Sequence, residues 1–224
     1  MSGSAAWLRR AAYREWGDLV MDLRDALARR GRRAVPLTLA SAALIAILQA
    51  VQHQRWGDVL VNRLGVVDAS LPWWVALLRT PLSLFVPAAD LPVWGALAQV
   101  LLVFGIAEIT LGRRRTLAIA YLSTLAGTMY ARWAVAMGPH SLFGLTPLDA
   151  FTRDTGPSAA VVALAVCVAW RYRAWWTGGA VVVSMAVEVA VWPNLAGWEH
   201  LAAITAAVVA CVLSTVRLRT VRHT

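Results

Sequence analysis

Ser158 and His200 are the two side chains of this sequence whose types could together break an acyl bond. A serine hydroxyl is a weak nucleophile until a base takes its proton, and neutral imidazole is the usual base. Ser158 closes the run Asp154-Thr155-Gly156-Pro157-Ser158, and His200 closes Trp198-Glu199-His200. The backbone around Gly156 and Ala159 would offer N–H groups to a developing oxyanion, and the start of a helix adds positive dipole there. The same residues also read as an ordinary helix start, with Asp154 or Thr155 as cap and Pro157 in the first turn. Trp198-Glu199-His200 reads equally as an interfacial turn whose histidine satisfies a backbone carbonyl. Glu188 is an ionisable group inside an apolar run, which makes it a candidate to orient His200, or else a carboxylate reaching the interface. Asp154 is a further carboxyl that could support the pair.

What must position these residues is a set of membrane helices. At 59% hydrophobic and 15% charged, the chain has more apolar surface than one soluble core of 224 residues normally hides. Its mean hydropathy is +0.61. Every basic residue is an arginine, and the arginines punctuate the apolar runs. Residues 1–33 carry eight, and the clusters Arg113/Arg114/Arg115, Arg171/Arg173 and Arg217/Arg219/Arg222 carry eight more. Arg55, Arg63, Arg79, Arg132 and Arg153 are the other five. Short cytoplasmic connections collect positive charge, so this pattern predicts both termini inside and an even number of spans. The net charge of +9 then belongs to span ends facing anionic headgroups, which argues against nucleic acid as a partner and for the lipid bilayer. Cys167 and Cys211 lie in apolar runs without metal-type spacing and read as small buried residues. No metal or cofactor is implied.

Six spans are predicted, at about Ala34 to Val51, Leu91 to Leu111, Thr116 to Ala136, Ser158 to Trp170, Ala174 to Trp192 and His200 to Val216. The fourth is short. With Arg171 at the inner interface, Ser158 lies thirteen residues up the helix, about 20 Å, and therefore below the outer edge of the hydrocarbon. The same count from Arg217 puts His200 about 25 Å up, at a comparable depth. Polar groups at such depth are tolerated in a wet cavity or within protein, and hydrolysis in a membrane needs that cavity. Arg132, near the outer end of the third span, can snorkel toward headgroups if the helix runs on to Met137.

The chain divides into a basic cytoplasmic segment 1–33, a transmembrane domain 34–217 and a basic cytoplasmic tail 218–224. In the first segment Trp16, Leu19, Val20, Leu23 and Leu27 recur at helical spacing, as in a helix lying on the inner leaflet or a solvated one. The connection 52–90 holds Leu71-Pro72-Trp73-Trp74, which suits a helix resting at the outer interface.

Several motifs resemble the rhomboid family of intramembrane serine proteases. Glu108-Ile109-Thr110-Leu111-Gly112-Arg113 is similar to the family's junction between second and third helices, and Arg79 falls where its first-loop arginine lies. Gly156-Pro157-Ser158-Ala159 resembles its Gly-x-Ser-Gly nucleophile motif. His200, with the small residues Ala203 and Ala207, resembles its sixth helix, where small residues let helices four and six pack closely. The resemblance implies an all-α, six-helix rhomboid-like core in the cell membrane. It also implies a Ser158/His200 dyad cleaving transmembrane protein substrates. The pattern departs at Pro92 and Ala96, which fall where the family has oxyanion donors, at Pro157, which removes an amide, and at Ala159 and Val162. A catalytically inactive relative that binds transmembrane clients is therefore the second expectation.

Overall fold

The structure, a computed structural model, describes residues 2–88, 92–141 and 143–221. Among these the fold is all-helical, without a β-strand, and a single isolated bridge joins Val67 to Asp154. Ten α-helices follow in order: α1 Ser2–Arg30, α2 Pro36–Gln52, α3 Arg55–Gly65, α4 Trp73–Ser83 and α5 Val93–Gln99, then α6 Gly105–Leu111, α7 Arg113–Met137, α8 Ser158–Tyr172, α9 Trp175–Val191 and α10 Leu195–Val221. A π turn, Val100–Phe104, joins α5 to α6 into one rod, Val93–Leu111.

Each of the six predicted apolar segments is helical. The predicted start of the second, Leu91, and the last residues of the tail, 222–224, lie outside the described residues. Among the described residues two stretches, Val93–Leu111 and Leu195–Ser214, are long and apolar enough to cross a membrane. A third is added if α1 and α2, which meet at a 51° bend, are counted as one broken span. Helices α8 and α9 are apolar but shorter. The α7 helix has 25 residues, about 37 Å of length, but Arg113, Arg114, Arg115 and Arg132 dilute its apolar character.

The short α8 is the hub of the bundle. It packs against α7, α9, α10, α6 and the π turn, and Ala159, Ala160, Ala163, Leu164 and Val166–Ala169 are buried. Its 15 residues make about 22 Å, less than a hydrocarbon core of about 30 Å.

Two carboxylates act as caps across the sequence. Glu108, 4% exposed, accepts the Leu37 amide at 3.0 Å, the Thr38 amide at 2.8 Å and the Thr38 hydroxyl at 2.9 Å. These are orphan donors of the first turn of α2, where negative charge is favoured. Arg113 donates to the same carboxylate at 3.1 Å. Gly112 between them has φ 85° and ψ 154°, a conformation that glycine alone adopts readily. In α1, Glu15 accepts the Thr177 amide at 2.7 Å and closes the start of α9 in the same way. Trp16 donates to the Thr177 hydroxyl, and Tyr172 donates to Asp22 at 2.6 Å. Leu19 packs against the core while Trp16, Val20 and Leu27 stay exposed. The predicted apolar stripe of α1 is thus supplemented by polar ties to the end of α8 and the start of α9.

The connection 52–90 holds two helices where one was expected. In α4, Trp73 and Trp74 are exposed, as an interfacial helix requires. Helix α7 runs on to Met137, and from it Arg132 reaches the connection between α3 and α4. Its guanidinium donates to the Leu71 carbonyl and, at 3.0 Å, to the Asp68 carbonyl.

Candidate functional site at the start of α8

The loop before Ser158 is sewn to the segment around α4. The Asp154 amide donates to the Val67 carbonyl at 2.8 Å, the Ser83 hydroxyl to the Asp154 carbonyl at 2.9 Å, and the Gly156 amide to the Ser83 carbonyl at 3.0 Å. Gly156 has φ 108°, a turn that a side chain would strain. Arg79 holds the other side of this connection through the Val66 carbonyl at 3.1 Å. With its N–H committed to Ser83, Gly156 is not a donor for an oxyanion. The amides of Ser158 and Ala159 in the first turn of α8 have no intrahelical acceptor.

Pro157 takes the cap position of α8, and no side chain caps the helix. This corrects the expectation of an Asp154 or Thr155 cap. Asp154 turns instead toward α7 and accepts the Thr128 hydroxyl at 2.6 Å. Burial pushes the Asp154 carboxyl up to about 6, with the Thr128 hydrogen bond opposing the rise.

His200 stands in the second turn of α10, not at its start and not in a turn. The helix begins at Leu195, five residues before the expected start at His200, because the Asn194 side chain accepts the Gly197 amide at 2.7 Å. Ala159, Ala163 and Cys167 of α8 form one buried cluster with Ala203 and Ala207 of α10. Ser158 directly precedes this seam on α8, and His200 lies three residues before its first member on α10. Both are half-buried at the same end of two adjacent helices. Among the described residues no hydrogen bond joins them, and the buried Nδ1 of His200 has no partner. Glu188, half-buried near the end of α9, is within electrostatic reach of the ring.

Sequence reasoning passed over Glu199. It is 7% exposed, its Oε1 is buried with no partner among the described residues, and it lies within electrostatic reach of Asp154. Gly127 of α7 admits it: a Cβ there would stand 3.2 Å from the Glu199 Cβ and 3.3 Å from its carbonyl oxygen. The available signal was a glutamate in an apolar helix beside the candidate base. Asp154, Glu199 and Thr128 thus make a buried polar cluster, with His200 adjoining it in sequence. Beside it an apolar groove of about 670 Å³ runs between α7 and α10, lined by Met129, Tyr130, Trp133, Leu201 and Ala202. The stacked rings of Tyr130 and Trp198, 5.9 Å apart, sit in its wall.

A hydroxyl, an imidazole with an unused nitrogen and unpaired helix-start amides are the components of acyl transfer. Among the described residues no group of three His, Cys, Asp or Glu side chains is disposed to hold a metal. The chain matches no protein-family model, no curated protein and no solved structure.

Proposed function

We propose that this chain is a six-span, rhomboid-like integral membrane protein, with both termini cytoplasmic, that hydrolyses transmembrane protein substrates through Ser158 and His200. The observation that carries the reading is the α8/α10 seam. Alanines and a cysteine bring the two helices together, so that a helix-start serine and an imidazole with an unpartnered buried nitrogen share one end of the bundle.

In this reading His200 takes the Ser158 proton as Oγ attacks the substrate carbonyl carbon. It returns that proton to the amine as the C–N bond breaks. Water then attacks the acyl-serine with His200 again as base, releasing the acid and the free serine. The amides of Ser158 and Ala159 face the developing oxyanion. Glu188, within electrostatic reach of the ring, is the carboxylate placed to face the imidazolium that forms during transfer.

A second reading, an inactive relative that binds transmembrane clients, is favoured by the donor inventory. The Gly156 amide is paired to Ser83, Pro157 has none, and neither Pro92 nor Ala96 carries a donor side chain. Loss of one preorganised donor costs about 100- to 1000-fold in rate. Labelling of Ser158 by a fluorophosphonate, in membranes that retain the fold, separates the two.

A further inference from the structure

At the other end of the α8/α10 seam two thiols touch. Cys211 Sγ of α10 lies 3.2 Å from Cys167 Sγ of α8, and Cys167 Sγ is also 3.9 Å from the Ala207 carbonyl oxygen. The contact follows from the seam's geometry. Positions 159, 163 and 167 on α8 and 203, 207 and 211 on α10 each advance by four, so alanines hold the two backbones close for two turns and deliver the cysteines to the third.

We infer that Cys167 and Cys211 form a reversible intramolecular disulfide that locks α8 to α10, closed by a quinone dissolved in the bilayer. The sulfurs need to approach by only about 1 Å to reach bonding distance, a movement within the rotamer freedom of the two side chains. Two S–H bonds break and one S–S bond forms, while two electrons and two protons pass to the quinone and leave it as quinol. Access favours a lipid-soluble oxidant over aqueous glutathione. Cys167 is buried and Cys211 half-buried, and Val209, Val212 and Leu213 beside Cys211 expose the apolar flank of α10. The cysteines precede Arg171 and Arg217 by four and six residues, roughly 6 to 9 Å inside the apolar layer in the membrane reading on which this inference rests.

The test uses the full chain in phosphatidylethanolamine and phosphatidylglycerol vesicles with a decyl-substituted ubiquinone. After acid quench and denaturation, the expected result is loss of both alkylatable thiols, a fall in intact monomer mass of about 2 Da and a peptide pair joined through Cys167 and Cys211, all reversed by dithiothreitol. Cys167→Ser and Cys211→Ser, each read in the same assay, keep their remaining thiol. Retention of both thiols in the wild-type chain, or a disulfide between two copies in place of the internal one, overturns the inference. Neither readout depends on Ser158, so failure here and failure of the protease reading are separate results.

Discussion

Glu108 accepts both the amide and the hydroxyl of Thr38, at 2.8 and 2.9 Å, so the end of α6 closes the start of α2 across seventy residues of sequence. A buried carboxylate there serves three donors and Arg113 at once. Replacing it strands those donors. Glu108→Ala is expected to destabilise the fold by roughly 3 kcal/mol, and Glu108→Gln, which keeps one acceptor oxygen, by about half as much. Unfolding in mixed micelles with increasing dodecyl sulfate measures both.

Asp154 makes stability depend on pH. Its folded value of about 6 lies above the ordinary value of 3.8, because burial disfavours the charged form. The stability contributed by the neutral carboxyl is therefore fully present below about pH 4 and is lost as pH rises through about 6. The loss is on the order of 3 kcal/mol. Thermal unfolding in detergent should show the midpoint falling between pH 4 and pH 7, and Asp154→Asn should flatten that slope.

Gly127 sets the spacing of α7 and α10. A methyl group at this position meets Glu199 at 3.2 to 3.3 Å, a contact that a few tenths of an ångström would relieve. Gly127→Ala should cost less than about 1 kcal/mol, while Gly127→Leu should cost about 1 to 3 kcal/mol. The larger side chain also pushes Glu199 away from α7, which faster amide exchange at the start of α10 would report.

Arg132 fastens the α3–α4 connection to α7 through the carbonyls of Leu71 and Asp68. Arg132→Met preserves the apolar stem and removes both bonds. Amide exchange over residues 66–72 should then accelerate by at least tenfold, while exchange in α8 stays slow.

The helices were legible where apolar runs alternate with arginines, as from Pro36 to Gln52 and from Trp175 to Val191. Helix α3 was not, because Trp56, Asp58, Asn62 and Arg63 break its apolar face into what reads as a polar connection. The start of α10 was misplaced because Pro193-Asn194 resembles a turn, and a cap is recognised only through the amide it receives. Ser158, His200 and Asp154 were visible as reactive types. Glu199 was hidden, since its importance comes from Gly127 on another helix and from Asp154 in a loop. Likewise Glu108 stood out as a motif, but its partner Thr38 is a matter of tertiary contact. Local pattern encodes the elements, and the burial of a carboxylate belongs to the assembled bundle.

The proposed function requires Ser158 to be a nucleophile activated by His200. Fluorophosphonate labelling of the full chain in native-like vesicles, with the adduct located by peptide mass spectrometry, tests it most directly. The expected result is an adduct on Ser158 that disappears in Ser158→Ala and falls at least 100-fold in His200→Ala. An unlabelled Ser158 in a chain whose unfolding transition is intact, or labelling that survives His200→Ala unchanged, contradicts it.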